Sequence, residues 1–240
     1  MQVVIFCGGQ GTRLWPQTET LPKPLIPIGD RPILWHLMKT YASCSHKDFI
    51  LCLGYLGDKI KEYFSKPENK EPDWNVQMVD TGLKSTKGER LLKVQNLIKD
   101  DNFLLAYGDD LSDVDINKII DFHRKNGKIV TLMTINPVSQ FGIIEIDKNN
   151  VVVKFKEKPR LDHWINAGYY VMNRKIFGYL KPEYELEGES FEKLAQERQI
   201  IAFKFDGFFK TMNTLKDVIE FNKMWESGEL KRVLYPNERH

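Results

Sequence analysis

The chain is short of the features that announce most specialised classes. Of its 240 residues three are cysteines, Cys7, Cys44 and Cys52, and no two are spaced C-x-x-C. That pattern suggests neither a zinc site nor a disulfide framework, and Cys7 and Cys52, set inside apolar runs, read as small buried hydrophobes. No stretch approaches the roughly 18 apolar residues of a membrane span, and no charged leader precedes an apolar run at the N-terminus. A cytoplasmic protein with no membrane partner is expected. Charge of one sign is lacking too: 35 basic against 33 acidic residues leave a net +2, which provides no general basic field for nucleic acid. There is no basic-aromatic patch, internal repeat or low-complexity segment. Finally, the glycines fit neither G-x-G-x-x-G nor G-x-x-x-x-G-K-[ST], which removes a plain dehydrogenase or ATPase reading.

What is present is concentrated in the first thirty residues. The β-prone run Val3-Val4-Ile5-Phe6-Cys7 opens into Gly8-Gly9-Gln10-Gly11-Thr12-Arg13, followed by Leu21-Pro22-Lys23-Pro24-Leu25. A buried strand feeding a glycine-rich turn lets backbone N–H groups approach a polyphosphate with no Cβ in the way, and Arg13 and Lys23 add positive charge. The glycines alone would suit an ordinary strand-to-helix turn. In register with Arg13, Lys23 and two prolines, they point to a nucleotide-phosphate site.

At this length and 42% hydrophobic, one large α/β domain over residues 1–240 is expected. Strand-like runs Val3 to Cys7, Asp48 to Leu53, Asn75 to Val79, Asn102 to Tyr107 and Val130 to Thr134 alternate with helical patterns at Ile33 to Ser43, Asp58 to Phe64, Arg90 to Leu97 and Ile116 to Asn126. That alternation predicts a Rossmann-like, doubly wound layer over 1–135. From Gly142 the texture changes. Ile143 to Ile146 and Val151 to Phe155, joined by Lys148-Asn149-Asn150, predict a hairpin, and with it a small antiparallel annex in 136–240 beside an otherwise mixed sheet. Lys216 to Glu226 is helical in pattern, the tail beyond Leu230 reads as charged and loose, and Ser65 to Asp73 as a solvated loop.

Gly108 carries the apolar run Phe103 to Tyr107 into Asp109 and Asp110, at the carboxyl end of a central strand, where open α/β sheets bind ligands. Magnesium favours oxygen donors, commonly one or two carboxylates with phosphates and water, so Asp109 is the candidate metal ligand. For Asp113 and Asp115 helix capping is the stronger expectation, and His36, on the pattern of Ile33 and Leu37, reads as a packed core-edge histidine.

The string GGxGTR with LPKPL resembles the signature of nucleotidyltransferases that join a nucleoside triphosphate to a sugar 1-phosphate. The resemblance extends over nearly the whole chain. Pro32 to His36, Lys47 to Ile50, Gly54-Tyr55, Ile60 to Phe64, Trp74 to Val76, Val79 to Gly82, Tyr107-Gly108-Asp109, Phe141-Gly142, Glu157-Lys158-Pro159, Ile165-Asn166 and Met212 to Asp217 look like the glucose-1-phosphate cytidylyltransferase branch. The resemblance implies transfer of CMP from CTP to a phosphorylated acceptor with magnesium, giving a CDP-sugar for surface polysaccharide. It implies that Gly8, Gly9, Gly11, Thr12 and Gly108 cradle the nucleotide, that Arg13 assists pyrophosphate departure and that Lys23 binds the phosphates. Thr81 and Gly82 would lie beside the base, and Arg90 would reach cytosine or ribose. Lys158 would bind the acceptor phosphate, with Gly142, Glu157 and Asn166 shaping its pocket. No protein nucleophile is needed, because the acceptor phosphate is already an oxyanion.

Three positions depart from that pattern. Asn213 stands where the family usually has a second metal-binding aspartate, leaving a carbonyl oxygen as its only donor to a metal. Ala167-Gly168 replaces a glycine pair and is expected to narrow the acceptor side. The segment Ser65 to Asp73, in a region that helps such subunits associate, is short, although a homo-oligomer remains the expectation. These departures leave open a non-sugar acceptor such as phosphoglutamine, destined for capsule phosphoramidate. They also leave open a catalytically silent nucleotide-sensing subunit, against which Arg13, Lys23, Asp109 and Lys158 all stand.

Overall fold

The apolar runs assemble into one seven-stranded sheet in a computed structural model that describes residues 1–236. Its strands are β1 (Gln2–Phe6), β2 (Asp48–Leu53), β3 (Asn75–Asp80), β4 (Asn102–Tyr107), β5 (Val130–Ile135), β6 (Ile165–Asn173) and β7 (Ile200–Lys204). Their order is β7-β5-β6-β4-β1-β2-β3. All pairings are parallel except those of β6, which runs antiparallel to both β4 and β5.

Alternation along the strands divides the core in two, because successive side chains of a strand face opposite sides. Val3, Ile5, Leu51, Leu104 and Ala106 join one buried cluster. Helices α1 (Ile33–Ser43), α2 (Gly57–Ser65), α4 (Ile116–Asn126) and α6 (Leu215–Glu226) bring Leu37, Ile60, Ile120 and Phe221 to it. Val4, Ile50, Cys52, Phe103 and Leu105 join the other, with Leu91 from α3 (Lys87–Val94) and Leu194 from α5 (Phe191–Gln196). Helices on both faces of a mostly parallel sheet make this the doubly wound, Rossmann-like architecture expected from the alternation. Burial also pushes the thiol of Cys52 up to about 12, consistent with an inert core residue.

One expectation changes. The tail beyond Leu230 is not loose as far as residue 236. After Gly228, at φ 74°, α7 (Glu229–Leu234) buries Leu230, Leu234 and Tyr235. The final four residues lie outside those described. The Tyr235 hydroxyl reaches Nδ1 of the fully buried His36 at 2.7 Å, while His36 Nε2 meets the Ile28 carbonyl at 2.9 Å. His36 is therefore a packed histidine, and burial lowers its pKa. The predicted annex forms beside the sheet, Ile143–Ile146 against Val152–Lys156, as a separate two-stranded antiparallel ribbon exposed along both strands.

Candidate active site

The chain builds β2 and β3 to one side of β1 and places β4 on the other, so a crevice opens at the carboxyl ends of β1 and β4. Four turns meet there: Gly8 to Gly11 after β1, Gly54 after β2, Thr81-Gly82 after β3 and Gly108-Asp109 after β4. Glycine is required by close approach at two of them. A Cβ on Gly8 would lie 2.1 Å from Arg90 Nη1, and one on Gly54 would lie 2.8 Å from both that atom and the Gly8 carbonyl. Gly11 holds φ at 62° at the start of the turn Thr12–Leu14, which leaves Thr12 and Arg13 exposed.

Arg90 is the hub of these turns. It projects from α3, is 6% exposed, and donates from Nη1 to the Leu53 carbonyl at 3.0 Å and to Thr81 Oγ1 at 2.7 Å. Its Nη2 donates to the Gly8 carbonyl at 3.3 Å and to that of Leu83 at 3.4 Å. The guanidinium fork thus ties the ends of three strands together, and desolvation lowers its pKa. Thr81, fully buried, donates its own hydroxyl hydrogen bond to the Leu53 carbonyl at 2.6 Å. Arg90 and Thr81 form the floor beneath the turns, while Gly82, at φ 92°, continues the chain above them.

Lys23 and Asp109 come from opposite sides of the crevice and form an ion pair, with side chains 14% and 22% exposed. The same ammonium donates to Asn213 Oδ1 at 3.0 Å. Each partner has a fixed backbone. The Lys23 carbonyl closes a one-turn helix to Ile26, Asp109 accepts from the Met212 N–H at 3.0 Å, and Asn213 donates its N–H to Asp217 at 3.0 Å. Asp217 belongs to a capping box with Thr214 at the start of α6, so the helix cap also locates Asn213. One carboxylate and one amide carbonyl thus converge on a single point. Among the described residues no group of three or more His, Cys, Asp or Glu side chains could hold a metal unaided. Asp115 caps α4 through the Asn117 N–H, and Asp113 accepts from the Phe208 N–H.

Sequence reasoning passed over a polar chain between this point and β6. Asp110, beside Asp109, is buried, and its pKa is raised by desolvation and then by its charged neighbour. A Cβ on Gly168, at φ 75°, would meet Asp110 Oδ2 at 2.6 Å. Asn166 donates from its side chain to the Tyr170 hydroxyl and accepts from the Gly168 N–H at 3.1 Å. Tyr170 meets the Tyr107 hydroxyl at 2.8 Å. Lys87 lies 4.6 Å from the centre of the Tyr107 ring and pairs with Glu187 at 2.9 Å. Adjacency to Asp109 could have flagged Asp110; nothing in the pattern marks the tyrosines. Ala167, 1% exposed, faces the core, so the expected narrowing of the acceptor side is not found.

The remaining candidates form a second group at the base of the ribbon. A Cβ on Gly142 would lie 3.1 Å from Glu157 Oε2, and Glu157 pairs loosely with Lys158 at 3.9 Å, both side chains being more than half exposed. Lys158 holds φ at 43°, a conformation uncommon outside glycine and one often found at functional positions. Asn166 is therefore grouped with the crevice, and Gly142, Glu157 and Lys158 with the ribbon.

A glycine-lined crevice with a lysine over a carboxylate can hold a polyphosphate, and an exposed cation at its rim can hold a second anion. The family description "Nucleotidyl transferase" matches residues 2–227. Over 95% of the chain it is 40% identical to a protein of Salmonella typhi described as glucose-1-phosphate cytidylyltransferase, covering 97% of that protein. A Bacillus subtilis protein described as a probable glucose-1-phosphate cytidylyltransferase is 36% identical, over 95% of this chain and 98% of the relative. Among solved structures, HddC from Yersinia pseudotuberculosis complexed with GMP-PN superposes with a TM-score of 0.73 at 22% identity, covering 93% of this chain and 99% of that one. A UDP-glucose pyrophosphorylase complexed with UDP-glucose gives 0.73 at 20%, over 94% and 98%. These two likenesses speak for the fold.

Proposed function

This chain belongs to the nucleotidyl transferase family, and from that premise we propose that it is a cytidylyltransferase. It transfers CMP from CTP to a sugar 1-phosphate such as glucose 1-phosphate, releasing pyrophosphate and forming a CDP-sugar. The observation that carries the substrate pair is the 40% identity, over nearly the full length of both chains, to the Salmonella typhi glucose-1-phosphate cytidylyltransferase.

In this reading a phosphate oxygen of the acceptor forms the new bond to the α-phosphorus, and the bond from that phosphorus to the α–β bridging oxygen breaks. Gly8, Gly9, Gly11, Thr12 and Gly108 line the triphosphate, and Lys23 and the exposed Arg13 offset the charge that builds on pyrophosphate. Thr81 and Gly82 border the base. Arg90 acts from below by holding their backbone, since its four hydrogen bonds all end on protein oxygens. Lys158 takes the acceptor phosphate beside Gly142 and Glu157, and Asn166 borders the acceptor from the crevice side. The Asp109 carboxylate and the Asn213 carbonyl oxygen suit Mg2+ if phosphates and water complete the shell. Bound there, the ion would neutralise phosphate oxygens and polarise the α-phosphorus.

One observation favours a second acceptor class. Asn213 alters the metal side and Glu157 and Lys158 stand open to solvent, which suits a non-sugar phosphate such as phosphoglutamine. The surface-polysaccharide destination, the cytoplasmic setting and a homo-oligomer belong to the main reading. The oligomer is supported by a ribbon whose Ile144, Ile146, Val153 and Phe155 are about half exposed or more, a surface a second copy would cover.

Pyrophosphate release with Mg2+ tests the reading, across ATP, GTP, UTP, CTP and dTTP crossed with sugar 1-phosphates and amino-acid phosphates. Turnover confined to CTP with glucose 1-phosphate is expected. Turnover with CTP and only a non-sugar phosphate would select the second reading, and none with CTP would refute both.

A further inference from the structure

The metal-binding candidates are already engaged with a cation supplied by the chain. Lys23 Nζ contacts the Asp109 carboxylate and lies 3.0 Å from Asn213 Oδ1, the two atoms proposed above to face the metal. We infer that the Lys23 ammonium is the resident cation of this site in the nucleotide-free protein, and that a divalent metal enters only with the triphosphate, which draws the ammonium away. The inference rests on the proposed triphosphate site and deepens it.

Charge counting explains why. Asp109 contributes one negative charge, Lys23 cancels it, and Asn213 contributes none. From these three groups a divalent ion approaching the free protein would meet no net negative charge and a like-charged ammonium between the two oxygens. With an aspartate at 213 the same three groups would carry a net negative charge and could hold a metal beforehand. Nor does the chain supply other donors nearby in sufficient number, since the described residues contain no group of three candidate side chains. Oxygen donors for a hard divalent cation must then come from phosphates and water.

The geometry also allows the exchange. The Lys23 backbone is held in a one-turn helix by Leu25 N–H to Pro22 O at 2.8 Å and Ile26 N–H to Lys23 O at 3.1 Å, so the flexible four-carbon stem is the moving part. Gly11 lies beside that stem: a Cβ there would come within 3.1 Å of Lys23 Cβ. The lysine is therefore rooted against the phosphate turn while its tip rests on the metal ligands. A triphosphate on the turn would compete for the tip and vacate the position between Asp109 and Asn213. Metal and nucleotide would then strengthen each other's binding by equal factors.

The test is Mn2+ binding to the intact protein without nucleotide, read from the loss of the free-ion EPR signal, for the native chain and for Lys23→Met, Lys23→Arg and Asn213→Asp. Circular dichroism confirms that each is folded. Lys23→Met and Asn213→Asp are expected to bind Mn2+ at least about tenfold more tightly than the native chain, and Lys23→Arg to bind as weakly as the native chain. Asn213→Asp answers the question if Lys23→Met does not fold. Equal Mn2+ affinity in the native chain, Lys23→Met and Asn213→Asp would overturn the inference, as would tight binding by Lys23→Arg. Separately, calorimetric titration with CTP, with and without Mg2+, should show metal-dependent nucleotide affinity. Absence of CTP binding altogether would instead count against the proposed function, leaving the nucleotide-free Mn2+ comparison to be judged by itself.

Discussion

The turns gathered around Arg90 and the ribbon beyond Pro137 rise from the same edge of one sheet, yet they are built on opposite terms. At the turns, backbone from three strand ends closes on a buried guanidinium, and a methyl group on Gly8 or Gly54 would collide with it. At the ribbon, both strands are exposed along their length, and the candidate ligand Lys158, its side chain 60% exposed, pairs only loosely with Glu157 at 3.9 Å. In the proposed reading the nucleotide side is fixed before ligand arrives, whereas the acceptor side is left to be completed by what binds or covers it. Retuning the acceptor therefore disturbs few folded-state contacts, while retuning the base means rebuilding a buried network.

The largest test of that contrast compares two lysines. Lys23→Met should lower kcat/KM for CTP by about 10³, the usual scale for removing a group that stabilises developing charge. Lys158→Met should raise the acceptor KM about tenfold and leave the KM for CTP in place. Steady-state kinetics with each substrate varied in turn decides it, and a comparable shift in both KM values for Lys158→Met would erase the division. Next in size, Arg90→Met removes four hydrogen bonds that tie three strand ends together and should cost roughly 3 kcal/mol in urea unfolding.

The third test uses pH. Burial lowers the pKa of His36 in the folded protein, an effect only partly offset by backbone hydrogen bonds with Ile28 and Arg31 and by the charge of Asp30, while the Arg31 charge adds to the lowering. The unfolded chain then binds more protons below the ordinary histidine range. Stability should be flat above about pH 7 and fall as pH drops through about 6.5 towards the lowered value. His46 and His123 shift in the same direction. His36→Gln should remove part of the slope between pH 7.5 and 5.5; an unchanged slope would mean that His36 contributes nothing to it. The smallest effect belongs to the ribbon: Phe155→Ser, at a side chain 63% exposed, should change monomer stability by less than about 0.5 kcal/mol. Phe103→Ala in the core should cost roughly 3–5 kcal/mol by the same assay.

The legible parts of the chain are those where local pattern and tertiary role agree. β1, β2, β4 and α1 could be bounded from sequence because their apolar residues recur at the period the core demands. The apolar pattern starts helix α3 three residues late. Its first turn, Lys87 to Glu89, is polar, and its start is marked only by Thr86 accepting from the Glu89 N–H. The pattern predicts neither β6 nor β7, and it hides α7 because Glu229, Lys231 and Arg232 mask the spacing of Leu230 and Leu234. Within the site, Lys23 and Asp109 could be named as candidates but not seen to pair, since 86 residues separate them. The resemblance implies that Arg90 reaches the ligand, while its four hydrogen bonds all end on protein oxygens, a network set by fold geometry and not by residue type.

The reversed direction of β6 has one further result. Ile135 ends β5 and Ile165 begins β6, and the two residues are paired across the sheet. Everything between them leaves and returns through a single rung, reinforced at its neck by Leu161 N–H to Pro137 O and Ser139 N–H to Pro159 O, each 2.9 Å. In genetic terms this is a cassette: the segment 136–164 can lengthen, shorten or be exchanged as one piece while the seven strands keep their order. If the acceptor binds there as proposed, a lineage could alter most of the acceptor's surroundings by rewriting one contiguous stretch of gene while the strands of the sheet stay as they are.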